Sequence, residues 1–198
     1  MKKIKNIKLH SKKIQNQKKI LFISDVHLGT NSIKHLLKIV SKINQLDFDM
    51  LLIGGDMIDS NSFKMDNLKY FNRILKPIYY VSGNHEYYLL NFEDKFLQLS
   101  KFNIKFLNNQ ALIIDDINLI GVSDNISLNK KVNFIKNNSK NYLLLLPDGT
   151  ELGLDISSES NLIDFSFYEY FGCNEIKTNA IRVNILSGYN ICTLKWKN

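Results

Sequence analysis

The chain has 198 residues, 44% of them hydrophobic, and a formal charge of +7 at neutral pH, which is enough material for one domain with a real core. Its two cysteines, Cys173 and Cys192, lie far apart and form no CxxC pair, so a disulfide framework is excluded. No apolar run approaches the ~18 residues needed to span a bilayer, and no apolar stretch follows the basic N-terminus as in a secretory signal. The expectation is therefore a soluble cytoplasmic protein.

The first 24 residues hold eight lysines and no acidic residue. Such a cationic arm suits phosphate-bearing surfaces such as anionic lipid or nucleic acid. Lys, Asn and Ile are also used heavily throughout, so general residue usage is the stronger account of the charge. "KIKNIKLH" alternates polar and apolar residues and predicts a half-exposed strand, and "KILFIS" (19–24) a buried one. Asn31 and Ser32 can cap a helix whose apolar face uses Ile33, Leu36, Leu37, Val40 and Ile43. "MLLIGG" (50–55) is the next buried run. A second helix is predicted over about 63–75, presenting Phe63, Leu68, Phe71 and Leu75 before Pro77 stops it. "IYYVSG" (78–83) predicts a strand, "NFEDKFLQLSKF" (91–102) a helix and "IKFL" (104–107) another strand.

Strand, loop and helix thus repeat, as in a parallel sheet faced by helices. "ALIIDDINLIGVSD" (111–124) then predicts a hairpin turning at Asp115 and Asp116, followed by a Lys- and Asn-rich helix and a buried strand "YLLLL" (142–146). Beyond Pro147, "PDGTELGLDISSES" is turn-like, and "NAIRVNILSGYNICTLKWKN" supplies one or two strands. With no repeat and no Pro- or Gly-rich linker, the reading is one domain over 1–198, well patterned to 146 and divergent over 147–198.

Three strand ends share a peculiarity. "FIS" runs into Asp25-Val26-His27, "LLIG" into Gly55-Asp56 with Asp59 beyond, and "YYVS" into Gly83-Asn84-His85-Glu86. Ligands of open α/β sheets bind at the carboxyl ends of the strands. Parallel strands would bring Asp25, His27, Asp56, Asn84 and His85 to one edge, where oxygen and imidazole donors suit Mn, Fe or Zn. In an extended segment residues i and i+2 share a side, so Asp25 and His27 can grip one ion. Gly54 and Gly55 let the backbone turn sharply toward the site, and Gly83 does the same before Asn84. Each short motif alone is commonplace; their ordered recurrence after buried strands is not. His10 in the basic arm and His35 on the first helix read as solvated.

"SDVHLG", "GGDMID" and "SGNHEYY" resemble the first three signature blocks of the calcineurin-like metallophosphoesterases, and "IDDINLIGVSD" is similar to a bacterial, membrane-associated branch acting on lipid-like substrates. The resemblance covers residues 2 to about 146. It implies an α/β class fold, a four-layer α/β/β/α sandwich with two divalent metal ions at the strand ends. By that resemblance Asp25 and His27 hold the first metal, Asp56 bridges both and Asn84 holds the second. His85 stabilises the transferring phosphoryl group or protonates the leaving oxygen, and Asp59 and Glu86 orient histidine or backbone groups. The implied reaction is hydrolysis of a phosphomonoester or phosphodiester by a water activated between two cations.

The family pattern continues with a histidine after the last buried strand and a Gly-His-x-His block. This chain's histidines are His10, His27, His35 and His85, and none follows position 85. The second metal site is therefore expected to be weak or empty, and nothing in the spacing of Asp148 or Asp155 argues that they replace the missing ligands. Three readings stay open: an active phosphoesterase, a pseudoenzyme serving as a binding module, and, lowest, a nuclease, since no base-stacking aromatic platform lies near the arm. The expected partners are a small-molecule or lipid-like phosphoester and, through the arm, the surface of an anionic membrane. Nucleic acid is not expected.

Overall fold

In a computed structural model, the described residues are 4–11, 16–115, 117–121, 123, 142–145, 162–167, 181–185 and 190–196. The expected Lys- and Asn-rich helix, Asp116, Asp148, Asp155 and Cys173 lie outside them. The strands are β1 (Lys5–Ser11), β2 (Lys18–Ile23), β3 (Met50–Gly54), β4 (Ile78–Val81), β5 (Ile104–Phe106), β6 (Gln110–Ile114), β7 (Ile117–Gly121), β8 (Tyr142–Leu145), β9 (Leu162–Phe167), β10 (Ile181–Ile185) and β11 (Asn190–Trp196). The helices α1 (Ile33–Ile43) and α2 (Phe92–Leu97) are joined by three 3-10 segments, Met65–Arg73, His85–Tyr88 and Leu99–Phe102.

Two sheets form, one in the order β1-β11-β2-β3-β4-β5 and one in the order β10-β9-β8-β7-β6. β2, β3, β4 and β5 pair in parallel, with Ile23 opposite Ile53 and Gly54 opposite Val81. Their carboxyl ends therefore emerge along one edge. β6 and β7 make the predicted hairpin, Ile114 opposite Ile117, with Asp115 at φ 52° in its turn.

β2, β3 and β4 are strands because they are continuous apolar runs covered on both faces. Leu21, Ile23, Leu51, Ile53 and Tyr80 share a buried cluster with Leu36, Ile39, Val40 and Ile43 of α1. Ile20, Phe22, Leu52 and Val81 are buried too, on the other face by strand alternation. There Gly121 of β7 comes so near Val81 that a Cβ would lie 2.9 Å from its Cγ1. Each fully buried Leu, Ile or Phe stabilises the fold by about 1.5–3 kcal/mol before chain entropy is counted.

Three expectations need correction. The helix predicted over about 63–75 is a 3-10 segment, Met65–Arg73. Its apolar residues Met65, Leu68, Phe71 and Ile74 recur every third position, which matches the 3-10 period. Leu75, expected on the inner face, is 92% exposed and Ile74 is buried instead. Over 91–102, α2 gives way to the 3-10 segment Leu99–Phe102. Ser32 occupies the N-cap of α1 without a side-chain capping bond. The tail supplies β9, β10 and β11, and β11 inserts antiparallel to β2 and parallel to β1.

Candidate metal centre

The backbone leaving β2 and β3 is unusual. Asp25, His27 and Asp56 have φ of 55°, 48° and 49°. Left-handed non-glycine residues cost of order 1–3 kcal/mol each and persist only where the surroundings hold them. Here the two loops hold each other. His27 N donates to Asp56 O (3.0 Å), Leu28 N to Met57 O (2.8 Å) and Asp59 N to Leu28 O (3.2 Å). Asn31 closes the first loop, its N donating to His27 O (2.8 Å) and its amide to Val26 O (3.0 Å). Asp25 and His27 therefore do not face the same side by extended-chain alternation, as the sequence suggested. They converge because both sit in the left-handed region of a tight loop. Of the two glycines after Leu52-Ile53, only Gly55 (φ 83°) makes the turn, since Gly54 is still in β3.

The side chains gather accordingly. His27 Nε2 lies 3.8 Å from Asp25 Oδ1, and His27 Nδ1 lies 3.2 Å from Asp59 Oδ2. The other Asp59 oxygen accepts the Thr30 N–H at 2.9 Å. One donor atom each of Asp25, His27 and Asp56 falls within 4.8 Å of the other two, and the same holds for His27, Asp59 and His85. Asp56 is 5% exposed, and its Oδ1 accepts the His85 N–H at 3.2 Å. Burial raises its carboxyl above the ordinary carboxylate value, the His85 N–H and the charge on His85 oppose this, and Asp25 adds to it. The His27 and His85 rings meet edge to face, centroids 4.9 Å apart.

Behind these groups sits Glu86, which is fully buried. Its Oε2 accepts the Asp56 N–H (3.1 Å) and Gly83 N–H (2.8 Å), and its Oε1 accepts that of Ile58 (2.9 Å). β3 and β4 stop pairing at Gly54 and Val81. The carboxylate thus takes up N–H groups that the sheet no longer satisfies and ties the two loops together. Burial nevertheless pushes its carboxyl above the ordinary value, with the Ile58 N–H opposing. The buried Tyr80 hydroxyl feels the Glu86 charge but makes no hydrogen bond of ordinary geometry. Gly83 is required by close approach, because a Cβ there would lie 2.3 Å from Asp56 Oδ1.

These residues suit a divalent cation. Asp59 Oδ2 lies 3.2 Å from His27 Nδ1, near enough to orient the imidazole, whose Nε2 is on the side of Asp25. The Asn84 amide lies against the Asp56 carboxylate, and with its nitrogen turned toward Asp56 it donates to both carboxylate oxygens at 3.3 Å. Carboxylates, a neutral imidazole and an amide oxygen are donors for a hard or borderline metal.

The family model for calcineurin-like phosphoesterases matches residues 18–177. The chain belongs to that family. Similar proteins include an uncharacterized metallophosphoesterase of Helicobacter pylori (strain ATCC 700392 / 26695), 34% identical over 67% of this chain and 36% of its own length. One of Campylobacter jejuni is 33% identical over 64% of this chain and 35% of its own. The chain thus spans about a third of the length of these relatives. Among solved structures, TT1561 of Thermus thermophilus superposes with a TM-score of 0.57 at 12% identity, covering 89% of each chain. That likeness speaks for the fold, the metallophosphoesterase sandwich, alone.

Of the residues singled out in the sequence, the fold brings together Asp25, His27, Asp56, Asp59, Asn84, His85 and Glu86. His35 is exposed on α1, away from them, and His10 belongs to β1. Two neighbours escaped the sequence reading. Ser24 Oγ donates to Asp25 Oδ2 at 2.6 Å, and Asn31, taken for a helix cap, pins the loop instead. A hydroxyl directly before the strand-end aspartate was the available signal for Ser24. Among the described residues, no helix is long and apolar enough to cross a membrane.

Proposed function

We propose that the chain is a metal-dependent phosphoesterase hydrolysing a phosphomonoester or phosphodiester, with Asp25, His27, Asp56 and Asn84 holding one divalent cation firmly and a second weakly. What supports this above all is the convergence of Asp25, His27 and Asp56 donor atoms within 4.8 Å at the ends of β2 and β3. Bound there, Mn, Fe or Zn would polarise the phosphoryl oxygens and make water a nucleophile at neutral pH. Asp59 keeps His27 in the tautomer whose Nε2 can ligate. Asp56 faces both His27 and Asn84, so it is the shared carboxylate. His85, its own N–H anchored on Asp56, stands where it can protonate the leaving oxygen. Glu86 keeps the β3 and β4 loops in register from behind. The proposed setting is cytoplasmic, with the basic arm touching an anionic membrane. The test is turnover of a chromogenic phosphodiester with Mn²⁺; no turnover, or turnover indifferent to Asp56→Asn, rejects the proposal.

The absence of any histidine after His85 favours a second reading. In it the fold persists as a binding module with little metal affinity and no turnover. Elemental analysis decides between the two, because two tightly held ions per chain are incompatible with that module.

A further inference from the structure

Each aspartate of the centre has one oxygen already engaged by a donor of the protein. Asp25 Oδ2 accepts from Ser24 Oγ at 2.6 Å, Asp56 Oδ1 accepts the His85 N–H at 3.2 Å, and Asp59 Oδ1 accepts the Thr30 N–H at 2.9 Å. Two of these donors are backbone groups, and Ser24 supplies the one side chain. The oxygen left to Asp25 is Oδ1, which lies 3.8 Å from His27 Nε2. Ser24 follows directly on Ile23, the last residue of β2, and is 8% exposed, so little water competes for its hydroxyl. At 2.6 Å the bond falls among charge-assisted O–H···O⁻ bonds, which are stronger than neutral ones. The backbone of Asp25, at φ 55°, fixes where its Cβ points, and the Ser24 bond fixes how the carboxylate is turned. Rotating Asp25 until both oxygens grip one ion would break that bond and strand a nearly buried hydroxyl.

We infer that Ser24 is a positioning residue that holds Asp25 to coordination through one oxygen and thereby sets the centre against Ca²⁺. This rests on the metal-dependent reading of the same cluster. Ca²⁺ gathers about 6–8 oxygen ligands and often takes a carboxylate through both oxygens. One oxygen from Asp25, one nitrogen from His27 and the oxygen of Asp56 not engaged by His85 make a sparse, mixed set, which suits Mn, Fe or Zn. An Asp25 released from Ser24 can turn both oxygens onto the ion, which helps Ca²⁺ and loosens the geometry that a transition metal uses.

The experiment uses the full chain stripped with EDTA and measures Kd by calorimetry for Mn²⁺ and for Ca²⁺. The wild type is expected to prefer Mn²⁺. Ser24→Ala should shrink the ratio of the two Kd values about tenfold, Mn²⁺ weakening while Ca²⁺ holds or gains, as when a ligand loses its supporting partner. Ser24→Thr keeps the hydroxyl and should keep the ratio. A loop merely loosened by the substitution would weaken both ions alike, so the ratio separates positioning from a structural role. The inference is overturned if Ser24→Ala leaves the ratio unchanged, or if Ser24→Thr shrinks it as much as Ser24→Ala does. A wild type that binds Mn²⁺ no better than Ca²⁺ overturns this inference alone. A wild type that binds neither ion removes the proposed function and the inference with it.

Discussion

His27 Nδ1 stands 3.2 Å from Asp59 Oδ2, while its Nε2 stands 3.8 Å from Asp25 Oδ1. The imidazole thus has a carboxylate beside each nitrogen, and the proposed metal role asks Nδ1 to hold the proton and Nε2 to offer the lone pair. Asp59→Asn keeps the volume and removes the acceptor strength that fixes this tautomer. We expect Mn²⁺ affinity to fall ~10–100-fold with little loss of fold stability. Titration of metal-stripped protein measures both.

Gly83 bears on Asp56 from the neighbouring strand end. A Cβ would lie 2.3 Å from Asp56 Oδ1 and 2.8 Å from Asp56 N, and the backbone nitrogen cannot rotate away. Gly83→Ala should destabilise the protein by about 1–3 kcal/mol through overpacking and also weaken metal binding. Urea denaturation in EDTA isolates the first effect, and an unchanged midpoint would show that the loops separate easily.

Glu86 supplies a pH signature. Burial holds its folded pKa above the ordinary 4.5, despite the Ile58 N–H and Gly83 N–H bonds. A raised folded pKa means that the folded state holds the proton more tightly than the unfolded chain does. The stability from this preference is fully present below the unfolded value and is lost as pH rises through the folded one. Metal-free wild type should therefore gain stability relative to Glu86→Gln as pH falls from neutral toward the ordinary glutamate range. At neutral pH the Gln variant turns an amide N–H toward backbone donors and should lose about 1–3 kcal/mol. Urea midpoints across pH, variant against wild type, measure the trend; a difference flat with pH would mean that Glu86 titrates normally.

His85 is the candidate proton donor and is not among the proposed ligands. His85→Ala should lower kcat by ~10²–10⁴-fold and leave manganese affinity close to that of the wild type. Loss of manganese in the variant would instead make His85 a ligand, consistent with its position near His27 and Asp59.

The candidate residues were legible in the sequence because they follow directly on buried apolar runs. Leu51, Leu52 and Ile53 mark β3 through their burial, and Asp56 comes three residues later, so strand and candidate ligand are read together. The same holds for Tyr79, Tyr80 and Val81 before Asn84. What stayed hidden depended on backbone detail or distant pairing. Positive φ at His27 has no local signature, and the bonds to the Asp56 loop and from Asn31 hold it there. The Met65–Arg73 segment did carry a signal, an apolar residue at every third position, which a search for helical spacing passes over. The insertion of β11 beside β2 joins residues far apart in sequence, and no local pattern states such a partnership.

The central claim is that Asp25, His27, Asp56 and Asn84 together chelate a divalent ion. Calorimetric titration of EDTA-stripped protein with Mn²⁺, wild type beside Asp56→Asn, tests it most directly. The account predicts saturable binding in the wild type and its loss in the variant, with the fold intact by circular dichroism. Absence of binding in the wild type, or equal binding by both proteins, would contradict it.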